Sequence, residues 1–314
     1  MSPADVEMRL VFLGTSGSMP TKTRGSSSTV LRLGRDLIMF DCGEGTQRQM
    51  VRARIGFRRN MVLLVSHLHG DHVLGIPGLL QTMSLLRRER QLDVYGPAGL
   101  IDYIKAFTES LGGPTFPVLL HEIQEPGVVH ENQRISIHAV RSQHIVESWS
   151  YAVVERPRPG RFHPDRAIAL GVPEGRLWHM LQHGIEVTVD DRVVKPEQVT
   201  DPPRRGRRVV YSGDTRPTAE LIELARGADV LVHEATFTEE LRERAVEDYH
   251  STAAEAAEVA KKAGVRLLVL NHISSRYPEP RVLLDEAKEV FGNTLVAEDL
   301  MELEVPLDEG PEAT

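Results

Sequence analysis

The sequence predicts a layered α/β fold. Three observations carry that expectation. Short apolar runs recur along the chain and end in turn residues, helical patterns lie between several of them, and no internal repeat is visible. In chain order, MRLVFLG, STVLRLG, DLIMFDCG, NMVLLVSH and LDVYGP read as strands, followed by RISIHAV, SYAVV, RVVYSGD, DVLVHEA, RLLVLNH and NTLVAED. GIPGLLQTMSLLRRE reads as a helix with Pro77 in its first turn, where the missing N–H has no partner to lose. PAGLIDYIKAFTESLGG ends on paired glycines. STAAEAAEVAKKAG carries a capping box in Thr252 and Glu255, Lys261 and Lys262 in its last turn, and Gly264 as its stop. PRVLLDEAKEVFG repeats the pattern.

One segment breaks the rhythm. Residues 155–182, ERPRPGRFHPDRAIALGVPEGRLWHMLQ, are rich in proline, glycine and arginine, with too little apolar content for a core strand. The segment reads as a projecting insertion in a single domain spanning 1–314, not as a second domain. The tail after Leu303, EVPLDEGPEAT, reads as frayed.

Composition bounds the function. With 314 residues, 41% hydrophobic and 26% charged, the chain suits one large soluble domain. It holds no apolar stretch of membrane-spanning length, and its N-terminus lacks the pattern of a signal peptide. The single cysteine, Cys42, excludes an internal disulfide; together these features point to the cytoplasm and away from a membrane. A net charge of −8 argues mildly against a polyanionic partner, but the arginines are clustered in RQMVRARIGFRRN, SLLRRERQ, ERPRPGRFHPDR and PPRRGRRVV. Such clusters predict a basic face, and the planar guanidinium suits phosphate.

The chemistry is concentrated where NMVLLVS ends. His67, His69, Asp71 and His72 follow that apolar strand at once, with Gly70 letting the backbone bend. Imidazole nitrogen and carboxylate oxygen are the ligands that Zn²⁺ takes. Further candidates lie at other strand ends: His144 after RISIHAVRSQ, Asp214 after RVVYSG and His272 after RLLVLN. Seven ligands suit two metals better than one, with one carboxylate shared.

HLHGDH with this downstream His, Asp and His resembles the metallo-β-lactamase superfamily. FLGTSGSMPT, FDCGEGTQRQM, SHLHGDHVLGIPGLL, YSGDTRP, VHEATF, the HST of 250–252 and NHISSRY together resemble the tRNase Z family, over about residues 9–303. That family consists of endoribonucleases that remove the 3′ trailer from precursor tRNA. The resemblance implies an α+β fold, a four-layer αβ/βα sandwich with an inserted projecting arm, and two zinc ions in a cleft at its edge. It assigns His67, His69 and His144 to one zinc, and Asp71, His72 and His272 to the other. Asp214 would bridge them, and Asp41 would orient a ligand histidine.

For the reaction, Asp71 is the expected acceptor of a water proton and His250 the expected general acid, set at the N-terminus of the helix capped by Thr252. Glu234 would orient His250. The family leaves a 3′ hydroxyl on the tRNA and a 5′ phosphate on the trailer, and it is commonly homodimeric. Residues 155–182 resemble its flexible tRNA-binding arm, with Arg156, Arg158, Arg161 and Arg166 as the expected phosphate contacts. PTKTRG resembles the loop that senses the tRNA 3′ end, with Gly25 where the family often has Asn. The alternative is another hydrolase of this fold, acting on a small phosphodiester, thioester or lactone. It would use the same metals and lack the basic arm.

Overall fold

The structure, a computed structural model, describes residues 6–307. They divide into two compact units, one of residues 6–154 with Arg208–Pro306 and one of Glu155–Arg207 with Leu307.

The larger unit is built on two seven-stranded sheets. The first runs, neighbour to neighbour, Glu302–Glu304, Met8–Gly14, Ser28–Leu33, Asp36–Phe40, Asn60–Leu64, Leu92–Gly96 and Val118–Glu122. The second runs Thr294–Val296, Leu267–Asn271, Val230–Glu234, Arg208–Tyr211, Trp149–Glu155, Ile135–Arg141 and Gly127–Glu131. Asp36–Phe40 through Val118–Glu122 are parallel, as are Arg208–Tyr211 through Thr294–Val296. The ends of these parallel strands deliver most of the polar side chains described below.

Alternation along each strand fills two faces. Phe12, Phe40 and Leu64 of the first sheet meet Ile137, Tyr151 and Val232 of the second in one buried core. Facing the other way, Leu13, Met39 and Leu63 pack against Met50, Leu79 and Ile104 of helices Thr46–Arg52, Ile76–Leu85 and Leu100–Leu111. On the second sheet, Val210, Leu231 and Leu270 pack against Leu221, Ala257 and Leu283 of helices Ala219–Leu224, Ala253–Ala263 and Arg281–Val290. The result is the α+β, four-layer αβ/βα sandwich that the resemblance implies. Burial on both faces is why the strands read as continuous apolar runs.

Strands Val118–Glu122 and Gly127–Glu131 were not expected from the sequence. Both lie at sheet edges with mostly half-buried or exposed side chains, so neither shows a strong apolar pattern. The C-terminal expectation is corrected in part: Glu302–Glu304 pairs with Met8–Gly14, and Val305 is buried with its N–H donated to Met8 O. Residues 308–314 of the expected frayed tail lie outside the described residues.

The unit Glu155–Arg207 extends past the boundary expected near Gln182 and has a core of its own. Helices Pro164–Ala169 and Arg176–Gln182 and the hairpin of Val187–Val189 with Arg192–Val194 bury Ala167, Leu181, Val187, Val194 and Val199, with Phe162 and Trp178 packed on them. Its base is a narrow antiparallel stalk, in which Arg158 pairs with Arg204 and Phe162 with Thr200. Glu155 receives Arg207 Nε and Nη2 at 2.8 and 2.7 Å. A Cβ on Gly206 would stand 1.9 Å from Glu155 O, so the stalk admits only glycine there.

Candidate metal centre

Strand Asn60–Leu64 is buried along almost its whole length, and the chain leaves it through Val65, Ser66 and His67, all fully buried. A single helical turn, Gly70–Val73, follows with His69 as its N-cap residue. That turn swings Asp71 and His72 to the side that His67 faces. His144 comes from the loop after Ile135–Arg141, Asp214 from the loop after Arg208–Tyr211, and His272 directly follows Leu267–Asn271. The structure brings all seven sequence-derived candidates together.

Their inner atoms lie at ligand-like separations. A tetrahedral ion with bonds of about 2.0–2.1 Å has ligand–ligand edges of about 3.3–3.4 Å. Asp71 Oδ2 lies 3.5 Å from His72 Nε2 and 3.3 Å from His272 Nε2. Asp214 Oδ2 lies 3.4 and 3.3 Å from the same two nitrogens, which are 3.4 Å apart. These five separations, 3.3–3.5 Å, match the edges expected around one ion. His67 Nε2, His69 Nδ1 and His144 Nε2 form a second group, at 3.0 Å between His67 and His69 and 3.3 Å between His69 and His144. Asp214 Oδ2 also stands 3.7 Å from His67 Nε2, which places it between the two groups. Buried lone pairs crowded this closely repel one another unless a cation holds them, so the donor set fits a divalent metal.

The outward nitrogens of four of the five histidines are already committed. His72 Nδ1 donates to Asp41 Oδ2 at 2.8 Å, and His144 Nδ1 donates to Tyr249 O at 3.0 Å. Ser66 Oγ gives its hydrogen to Asp41 Oδ2 at 2.9 Å, so it accepts from His67 Nδ1 at 3.0 Å. Thr236 Oγ1 gives its hydrogen to Glu234 Oε2 at 2.7 Å and accepts from His272 Nδ1 at 3.0 Å. Each bond fixes a tautomer that leaves the inner nitrogen as an acceptor. Burial, reinforced by the neighbouring histidines, lowers the His67 pKa well below its ordinary value and keeps the ring neutral.

His250 and Glu234 border this group. Glu234 Oε1 lies 3.0 Å from His250 Nδ1, and the imidazole stacks on His272 with ring centroids 5.5 Å apart. The His250 ring opens onto a cleft of about 390 Å³ lined also by Ser18, His69, Asp71, His144 and Asp214. A second cavity, of about 420 Å³ and lined by Asp36, Asn60, Arg90 and His130, touches none of the ligand candidates.

A family model described as "Beta-lactamase superfamily domain" matches residues 199–273, and one described as "Anti-Pycsar protein Apyc1" matches residues 8–158. Ribonuclease Z of Methanosarcina acetivorans is 48% identical over 301 residues, covering 95% of this chain and 98% of the relative. Ribonuclease Z of Methanosarcina mazei is 48% identical over 304 residues, with the same coverage of each chain. The chain belongs to the ribonuclease Z family. Membership makes it an endoribonuclease, a hydrolase of RNA phosphodiesters. The crystal structure of human tRNase Z, short form, superposes with a TM-score of 0.71 at 28% identity, covering 96% of this chain and 100% of the other.

Against that family background, two expectations change. The helix Ala253–Ala263 does not offer an open N-terminus beside His250. Ala253 N–H donates to Phe237 O, Glu255 N–H donates to Thr252 Oγ1, and residues 251–253 are fully buried. The arginine clusters also include structural members. Arg88 is buried and donates to the carbonyls of Phe57, Arg59 and Gln91, and Arg207 is buried against Glu155. Sequence reasoning missed Ser66, Tyr211 and Thr236. Tyr211 OH donates to Asp41 Oδ2 at 2.8 Å from a strand of the opposite sheet. All three stand in quoted motifs, Ser66 in SHLHGDH, Tyr211 in YSGDTRP and Thr236 in HEATF, but their side-chain partners are set by the fold.

Proposed function

We propose that this ribonuclease Z removes the 3′ trailer from precursor tRNA with two zinc ions, leaving a 3′ hydroxyl on the tRNA and a 5′ phosphate on the trailer. The observation that carries the reading is the clustering of seven ligand-type side chains, four of which line one cleft with His250, in a chain similar over 95% of its length to a ribonuclease Z. His67, His69 and His144 would hold one ion, Asp71, His72 and His272 the other, and Asp214 both. Bound zinc lowers the pKa of water and offsets charge developing at phosphorus.

The protein's own groups do the rest. Asp71, whose Oδ2 accepts the Ser18 N–H at 2.8 Å, takes the proton of the attacking water. His250, with Nδ1 held by Glu234, presents Nε2 to the leaving 3′ oxygen and protonates it. On the unit Glu155–Arg207, Arg156, Arg161 and Arg166 are exposed and Arg158 is half-buried. Held there, they engage tRNA phosphates without reading sequence, which suits an enzyme that accepts many tRNAs.

No described helix is long and apolar enough to cross a membrane. The free, buried thiol of Cys42 supports a cytoplasmic enzyme, and the family resemblance supports a homodimer. Metal removal tests the reading. Chelation should abolish cleavage of a 3′-extended tRNA, and zinc should restore it at two ions per subunit. Undiminished cleavage by the metal-free protein would overturn the proposal.

A further inference from the structure

We infer that Arg216 is a positioning residue for His250, an inference that rests on the general-acid role proposed above. The turn before His250 is strained: Tyr249 has φ of 58°, in the left-handed region that non-glycine residues avoid. Such a conformation persists only where the surroundings hold it. On one side, Tyr249 O accepts the Nδ1–H of His144. On the other, Arg216 Nη1 donates to His250 O at 2.5 Å.

The same guanidinium grips the helix that follows. Nη1 donates to Glu255 Oε2 at 2.7 Å, and Nη2 pairs with Glu255 Oε1. Glu255 Oε2 in turn accepts the Thr252 N–H at 3.0 Å, closing the capping box. The ion pair is largely shielded, with side-chain exposures of 13% and 10%. A capping box needs only an acceptor at Glu255, so the fork-to-fork pairing adds orientation beyond capping.

Arg216 is itself anchored to the ligand loops. It lies two residues after Asp214, and its N–H donates to Gln143 O at 2.9 Å, beside His144. Ser251 Oγ donates to Thr215 O at 2.6 Å. Residue 216 therefore ties the segments carrying Asp214, His144 and His250: its backbone N–H holds the His144 loop, and its side chain fixes the His250 backbone while Glu234 fixes the ring. Arg216 reaches the reaction only through His250.

The test compares two leaving groups. A ribose 3′ oxygen needs a proton as it departs, whereas p-nitrophenolate is a stable anion near neutral pH. In R216Q, saturating single-turnover cleavage of a 3′-extended tRNA should fall on the order of 10²-fold, the scale expected for displacing a reacting group by about 1 Å. Its KM and metal content should stay near those of the parent, and hydrolysis of bis-p-nitrophenyl phosphate should fall far less. H250A supplies the reference ratio between the two substrates. E255Q keeps an acceptor for Thr252 N–H but loses the paired charge, so it should show the same selective loss to a smaller degree. R216K should recover part of it.

Equal losses on both substrates in R216Q and E255Q, or loss of metal, would make the pair merely structural and overturn the inference. Full tRNA cleavage in both variants would overturn it as well. If H250A itself lost both activities equally, the general-acid reading would fail, and this inference with it. A selective loss in H250A alone would retain that reading and reject Arg216.

Discussion

The Asp41 carboxylate accepts the Nδ1–H of His72 at 2.8 Å, with both side chains fully buried. Its two oxygens also receive the Ser66 N–H at 2.7 Å, the Ser66 hydroxyl at 2.9 Å and the Tyr211 hydroxyl at 2.8 Å. Because Ser66 then accepts from His67, one carboxylate orients two ligand histidines that belong to different groups of the centre. Asp41 adopts φ of 57°, a conformation that aspartate tolerates better than most residues.

Replacing Asp41 by asparagine should weaken metal binding roughly 10–100-fold, the usual effect of losing a partner behind a ligand histidine. The amide brings its own N–H groups to a site that already supplies four donors. Titration against a competing chelator would measure the change, and parental metal affinity would show that Asp41 does not orient the ligands.

Glu234 should set the alkaline limit of the reaction. Burial pulls the His250 pKa down, but the charge and hydrogen bond of Glu234, aided by Asp214, outweigh it and raise the value to about 9. A general acid works in its protonated form, so activity is present below that pKa and is lost as pH rises through it. In E234Q the main raising charge is gone, and the alkaline limb of the single-turnover pH profile should move to lower pH. An unmoved limb would separate Glu234 from the titration of His250.

The unit Glu155–Arg207 should be separable from hydrolysis. Excising residues 156–206 and joining Glu155 to Arg207 through a short glycine linker respects the stalk, since Glu155 N–H donates to Arg207 O at 2.8 Å. A cut ending at Leu177 would split the core formed with Leu181, Val187 and Val194. The excised protein should keep its metals and its hydrolysis of bis-p-nitrophenyl phosphate. Its binding to precursor tRNA should weaken and lose part of its salt dependence, because several arginine–phosphate contacts leave together. Unaltered tRNA binding would remove this unit from substrate recognition.

The metal centre was legible because its signal is local and chemically dense. His67, His69, Asp71 and His72 fall within one strand end and one turn, and His144, Asp214 and His272 each sit where an apolar run stops. The central strands and the long helices were legible for the same reason, through apolar runs and the caps at Thr252 and Gly264. What escaped is set by tertiary juxtaposition. Arg88 and Arg207 look like solvated charge in sequence and become buried struts only when carbonyls or Glu155 surround them. Tyr211 reaches Asp41 across the sandwich, and Arg216 meets Glu255 and the His250 carbonyl from 34 to 39 positions away. The hairpin within the Glu155–Arg207 unit uses strands of three residues, too short to show a period.

The central claim is that the cleft holding Asp71, Asp214 and His250 cuts precursor tRNA at the start of its trailer. It is tested most directly by incubating the zinc-loaded protein with a 3′-extended tRNA and mapping the termini of both products. The account predicts one cut, with a 3′ hydroxyl on the tRNA and a 5′ phosphate on the trailer. Scattered cuts, a 3′ phosphate on the tRNA, or an intact precursor alongside rapid hydrolysis of a small phosphodiester would contradict it.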